Sequence, residues 1–210
     1  MTTVPSASVR SEMQIGLFGG SFDPVHDAHL ALARSAIDAL ALDELIWVPT
    51  GNPWQKTRLL TPAADRIAML RLALADADRQ HIDGCEIDRA GPSYMIDTVL
   101  ELQARHPPAR WWLLLGQDQL ANLPTWYRWR ELVTLVALGI ANRAGVAAVV
   151  PPEVRATGAA VADVPLAPSA ISSTGIRRRV AAGVDVGALV PPAVARYIDA
   201  HGLYRDSHRS

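Results

Sequence analysis

Cysteine is almost missing from this chain: Cys85 stands alone among 210 residues. A disulfide framework and a cysteine-based zinc cluster are both excluded within it. No charge of one sign prevails either. Twenty lysines and arginines face twenty-one aspartates and glutamates, so composition offers no electrostatic footprint for nucleic acid or a membrane surface. No stretch approaches the roughly 18–20 uninterrupted apolar residues of a membrane span. Residues 1–12 are polar and lack the apolar run of a secretory signal. They are expected to be a disordered leader ahead of one domain over 13–206. A cytoplasmic setting is expected, with monomer and homodimer both open.

Two common nucleotide-binding signatures are also missing. There is no G-x-x-x-x-G-K-[ST] run, which excludes a P-loop enzyme. The order Gly16-x-x-Gly19-Gly20 does not make G-x-G-x-x-G, and no acidic residue closely follows the second expected strand. A dehydrogenase-type dinucleotide site is therefore disfavoured.

Apolar residues, by contrast, make up half of the chain, enough for a substantial core. Their pattern alternates between two periods. Met13–Phe18 is a short apolar run stopped by Gly19-Gly20 and reads as a buried strand. Leu30, Ala33, Ala36, Ile37 and Leu40 recur at helical spacing over 27–42. Leu45–Val48 reads as the next strand, residues 65–74 as a helix, 81–87 as a weaker strand, and 93–105 as a helix capped by Ser93. Trp111–Leu115 is a continuous apolar run ending at Gly116, as in a buried parallel strand. A short helix over 129–135, strands over 136–141 and 161–166, and helices over 172–182 and 191–201 complete the pattern. Otherwise the stretch 144–170 reads as a connection with little chemistry. This alternation predicts an α/β fold: a Rossmann-like, doubly wound parallel sheet with helices on both faces. Ligands then sit at the carboxyl ends of the strands, where the strand order reverses.

The polar clusters follow expected strands, as that rule requires. Gly19-Gly20-Ser21-Phe22-Asp23-Pro24-Val25-His26-Asp27-Ala28-His29-Leu30 joins the first strand to the first helix. Paired glycines let backbone amides approach a phosphate, and a helix N-terminus adds unpaired N–H donors and a positive dipole end. His26 and His29, three apart, share a face there and both are able to donate to phosphate oxygens. In the second cluster, Ser172-Ser173-Thr174-Gly175-Ile176-Arg177, hydroxyls, a helix start and an arginine together suit a polyphosphate. Taken alone, it reads equally well as an ordinary cap with a solvated arginine. His81, His106, His201 and His208 have no partners at metal-ligand spacing, so no protein metal site is expected.

The pattern G-G-S-F-D-P-x-H-x-x-H-L and the later I-S-S-T-x-I-R resemble the nucleotidyltransferase superfamily with the HxGH signature. Within it the chain most closely resembles the bacterial nicotinate-nucleotide adenylyltransferase family. The resemblance extends to Asn52-Pro53-Trp54-Gln55-Lys56, Gly91-Pro92-Ser93-Tyr94-Met95-Ile96-Asp97-Thr98, Leu115-Gly116-Gln117-Asp118 and Leu123-Pro124-Thr125-Trp126-Tyr127. It implies transfer of the adenylyl group of ATP to nicotinate mononucleotide, with pyrophosphate released and a magnesium ion bound mainly through the phosphates. Small molecules would be its only partners.

By the same resemblance, His26, His29 and Arg177 act at the reacting phosphates. Gly19, Gly20, Phe22, Asp118, Ser172 and Ser173 contact ATP. Ser21, Lys56, Tyr94, Met95, Trp126 and Tyr127 contact the mononucleotide, with Trp126 stacked on the ring and the Tyr94–Met95 and Trp126–Tyr127 amides on its carboxylate. Asp23 either binds a phosphate-linked water or fixes the turn. Asp118 takes the ATP ribose or caps a helix, Lys56 takes a phosphate or is solvated, and Arg143, which follows an expected strand, is a further candidate to touch a phosphate. Two positions depart from the family pattern. Ala28 replaces a glycine, where a methyl group crowds the nucleotide unless the site adjusts, and Met95 replaces a threonine.

Overall fold

In the computed structural model, which describes residues 12–51, 60–143 and 145–205, six strands form a single all-parallel sheet. They are β1 (Met13–Gly20), β2 (Glu44–Pro49), β3 (Gln80–Ile82), β4 (Ala109–Gly116), β5 (Ala137–Arg143) and β6 (Val161–Leu166). Their order is β3-β2-β1-β4-β5-β6. The chain therefore winds outward from β1 on one side and from β4 on the other, which leaves the topological switch point between these two strands. Leu17 is in register with Ile46 on β2 and with Leu113 on β4.

The strand sequences explain why both faces are covered. Successive side chains point to opposite faces, and the central strands are apolar on both. Ile15, Leu17, Ile46, Val48, Trp111, Leu113 and Leu115 belong to one core cluster; Phe18, Leu45, Trp47, Trp112 and Leu114 belong to the other. Helices α1 (Asp27–Ala39), α2 (Ala63–Ala73), α8 (Ser173–Ala181) and α9 (Pro192–Ala200) cover the second cluster. The first lies under α4 (Met95–Arg105), α5 (Gln117–Asn122) and α6 (Trp129–Leu135), with the short α3 (Cys85–Asp88) and α7 (Pro152–Arg155). Burying a side chain of this size contributes about 1.5–3 kcal/mol, so the two layers hold the sheet rigidly beneath its loops.

Local chemistry moves some expected boundaries. The strand expected over 81–87 stops at Ile82, because Asp83 Oδ1 accepts the Cys85 amide at 2.9 Å and turns the chain into α3. Ser93 does not cap α4. Tyr94 is the N-cap, and the Ser93 hydroxyl donates instead to the Glu86 carbonyl at 3.5 Å. The stretch 144–170 carries α7 and β6, and it is pinned to the sheet by Gln117, which exchanges two hydrogen bonds with Val149.

The C-terminal end closes over the β1–α1 turn. Asp23 is fully buried. Its Oδ1 accepts the Tyr204 hydroxyl at 2.7 Å, and its Oδ2 accepts the Thr61 amide at 3.4 Å. Arg66, also buried, donates from Nε to the Thr61 carbonyl at 2.9 Å and from Nη1 to the Ser21 carbonyl at 3.0 Å. Burial, together with the Asp23 charge, raises the Tyr204 hydroxyl well above the ordinary tyrosine range, so it remains a proton donor at every physiological pH. Tyr204→Phe leaves that carboxylate buried with one donor fewer and is expected to cost about 1–3 kcal/mol. In thermal unfolding the loss should exceed that of Tyr197→Phe, whose hydroxyl donates to Asp65 at 2.9 Å on a half-buried surface; equal losses would deny Asp23 this role.

Candidate active site

A cleft of about 420 Å³ opens at the carboxyl ends of β1 and β4, at the switch point. Gly19, Gly20, Ser21 and His29 line it from the β1–α1 side. Gly116 and Gln119 line it from the end of β4, and Tyr94, Met95, Trp126 and Tyr127 form an aromatic wall. A Cβ on Gly19 would lie 2.6 Å from the Met95 Cε, so the missing side chain is what lets Met95 approach the strand end.

His26 is the N-cap of α1, in extended conformation, and His29 is the third residue of its first turn. The His26 amide donates to His29 Nδ1 at 3.3 Å, so a neutral His29 carries its hydrogen on Nε2. Here an imidazole takes the place that Glu or Gln usually holds in a capping box. The two rings stack with centroids 3.7 Å apart and planes 17° apart. His29 faces the cleft, while His26, only 5 % exposed, lies outside its lining. Burial lowers the His26 pKa from 6.5 to about 4, partly offset by a backbone hydrogen bond. Among the described residues, His26 Nδ1 and Trp126 Nε1 are buried with no protein hydrogen-bond partner.

The second cluster arrives beside the first. Ser172 caps α8 by accepting the Gly175 amide at 3.1 Å. Ser173 donates to the Pro24 carbonyl at 2.9 Å, and Arg177 Nη1 donates to the Asp23 carbonyl at 2.7 Å. Both thus grip the turn that carries the histidines, just outside the cleft lining. Phe22 has φ +46°, and its buried ring packs edge-on against His29 at 5.2 Å and against Phe18 and Trp47. The Asp23 carboxylate is engaged within the turn by Tyr204 and Thr61. Asp118 is exposed in the first turn of α5, whose N-cap is Gly116; its neighbour Gln119 lines the cleft instead. Ala28 takes ordinary helical conformation inside α1, so the backbone there has no need of glycine.

On the aromatic wall the Tyr94 and Tyr127 rings lie 4.5 Å apart. The Trp126 amide is already used, donating to the Leu123 carbonyl at 3.0 Å, which removes one of the four amides expected to meet a carboxylate. Lys56 and its segment lie outside the described residues, as does the Arg143 side chain. Sequence reasoning missed Arg66, Glu86, Gln119 and Tyr204. A charged residue among apolar ones was the only signal at Arg66 and Glu86, and Tyr204 carried none.

The His26 environment sets a pH signature. Between pH 6.5 and about 4 an unfolded chain protonates this imidazole while the folded one does not. Stability therefore falls as pH drops through that window, by on the order of 3 kcal/mol in full. Denaturant unfolding should show this acid loss in the native chain and a smaller one in His26→Gln; a pH-independent difference between the two would mean His26 titrates normally.

A model of the cytidylyltransferase-like family matches residues 17–179. The chain is 47 % identical over 197 residues to a probable nicotinate-nucleotide adenylyltransferase of Methylibium petroleiphilum, covering 92 % of this chain and 93 % of that protein. It is 44 % identical to one from Bordetella petrii, over 91 % of this chain and 99 % of the other. Among solved structures, the nicotinic acid mononucleotide adenylyltransferase of Plasmodium falciparum complexed with NaAD shares the fold. It superposes with a TM-score of 0.75 at 19 % identity, over 91 % of this chain and 97 % of that one. With its cleft at the switch point and its two signature clusters joined at one turn, this chain belongs to the cytidylyltransferase-like nucleotidyltransferases and, within them, to the nicotinate-nucleotide adenylyltransferase family.

Proposed function

We propose that residues 13–206 form one catalytic unit that joins nicotinate mononucleotide to the adenylyl group of ATP in the cytoplasm, making nicotinate adenine dinucleotide and pyrophosphate. The observation that carries this reading is His29, stacked on His26 at the start of α1 and facing a cleft with an aromatic wall. An oxygen of the mononucleotide phosphate attacks the α-phosphorus of ATP in line. The bond to that phosphorus forms as the α–β bridging bond breaks, and its electron pair leaves with pyrophosphate. The protein forms no covalent bond, so positioning and charge stabilisation do the catalysis.

The Nε2–H of His29 donates to a phosphate oxygen at the reacting centre, with its direction set by the His26 amide. His26 supports that ring from behind. Gly19, Gly20 and the backbone at Phe22 let the polyphosphate lie against the strand end and the α1 dipole. Ser173 and Arg177 hold the turn, Ser172 and Ser173 offer hydroxyls and Arg177 adds positive charge beside the phosphates, and Asp118 meets the ATP ribose from the rim. Among the described residues no three metal-ligating side chains stand together, and Asp23 is engaged by Tyr204 and Thr61. That donor set would suit a magnesium ion held by the substrate phosphates rather than by side chains, and such an ion would supply charge neutralisation there.

For the mononucleotide, Trp126 stacks on the ring, and Ser21 and Lys56 meet its phosphate end. The Met95 and Tyr127 amides, which have no acceptor among the described residues, take the carboxylate. Donors alone favour the acid over the amide, whose NH2 would face N–H groups.

Pyrophosphate release from ATP and magnesium should be fast with nicotinate mononucleotide and slow with the nicotinamide form; no release with either would sink this assignment. His29→Ala should lower kcat by about 10²–10³. Trp126→Ala should instead raise the KM for the mononucleotide, as loss of about 1–3 kcal/mol of stacking predicts, and leave the KM for ATP nearly unchanged.

A further inference from the structure

We propose that Glu86 is the counter-charge for the positively charged pyridinium ring of the mononucleotide, and so a residue that determines which ring this cleft accepts. The inference rests on reading the cleft as the mononucleotide site.

Glu86 is 3 % exposed, yet it lines the cleft together with Thr50, Ser93, Tyr94 and Trp126. Burying a carboxylate costs several kcal/mol unless partners offset it. Its hydrogen-bonding partners are neutral ones, the Ser93 side chain among them, while the Arg89 charge acts on it without an ion pair. The Thr98 hydroxyl donates to Oε1 at 2.8 Å, and the Gly51 amide donates to the carboxylate. The closest guanidinium, that of Arg89, is turned elsewhere: Nη1 donates to Thr98 Oγ1 at 3.1 Å and Nη2 to Glu101. Among the described residues, Glu86 enters no ion pair. Burial raises its pKa, while Thr98 and Arg89 act to lower it. An arriving cation adds to the second pair and favours the ionised form.

Its place in the cleft is fixed from several sides. A Cβ on Gly51 would lie 1.8 Å from the Glu86 carbonyl oxygen, so only glycine lets the end of β2 press this closely on α3. The Thr98 hydroxyl that holds the carboxylate is also 3.4 Å from the Tyr94 carbonyl, and Tyr94 belongs to the aromatic wall. Glu86 is thus one hydroxyl away from the residues that would hold the ring. The ring nitrogen of a pyridine mononucleotide is bonded to the ribose and carries a full positive charge. Against a carboxylate that is itself buried, that charge interacts more strongly than it would with one in bulk solvent.

The test compares two flat rings of the same shape on the full chain. One is nicotinate mononucleotide. The other is its benzoate C-ribotide, in which carbon replaces the ring nitrogen and the ring is neutral. Calorimetry on the native chain should show the pyridinium form binding about tenfold or more tightly, the scale of a partly desolvated charge pair. Glu86→Gln should bring the two affinities to within about twofold by the same reasoning, while Glu86→Asp, which keeps the charge, retains most of the preference. Equal affinities in a native chain that releases pyrophosphate would overturn the role of Glu86 alone, as would an undiminished preference in a folded Glu86→Gln. Where that variant does not fold, the native preference and its retention in Glu86→Asp decide. A native chain that adenylylates no mononucleotide would overturn the reading of the cleft and this inference with it.

Discussion

The β1–α1 turn, the phosphate end of the proposed site, depends on one buried carboxylate. Asp23 sits in the turn between β1 and α1 with its side chain held by the Tyr204 hydroxyl and the Thr61 amide and its carbonyl by Arg177. A buried carboxylate left without donors would cost more than most single contacts contribute, so these elements must close together for the turn to exist. Arg66 adds a second brace from α2 to the Ser21 carbonyl. The turn in turn sets where α1 begins, and with it the positions of His26 and His29.

That order of dependence makes the chemistry preorganised. The two imidazoles are fixed by the fold itself: they stack on each other, burial holds His26 neutral, and the His26 amide sets the tautomer of a neutral His29. On the proposed reading, a His29 donor fixed in advance would stabilise charge as it develops at a phosphate, and stabilisation that is stronger in the transition state than before it is what lowers a barrier. The aromatic end is built on separate elements, α3, α4 and the segment before α6, and meets the phosphate end only across the strand tips. On the proposed reading, ring recognition and phosphate handling would therefore be alterable independently, since residues on the two sides share few partners.

Much of the fold was legible in the sequence. Apolar runs ended by glycine marked β1 and β4, and helical spacing marked α1 and α4, because period and turn chemistry are local properties. Where reading failed, a local rule had met a competing partner. Ser93 looked like a cap, but its hydroxyl is drawn to Glu86. Trp126 looked like a pair of stacking ring and free amide, but the turn ahead of it had already used the amide. At the end of β4, Gln119 lines the cleft beside the exposed Asp118, a neighbour the motif did not single out.

By itself the sequence determined the alternation of strand and helix, the glycine turn, and two histidines placed three apart on one helix end. Each of these follows from residues within a few positions of one another. Tertiary structure alone decided that Ser173 and Arg177 meet a turn 149 and 154 residues earlier, that Tyr204 closes on Asp23 from 181 residues away, and that Glu86 faces the cleft rather than solvent. Such pairings leave no period in the chain, because they arise from how the layers pack and from the need of each buried polar group for a partner.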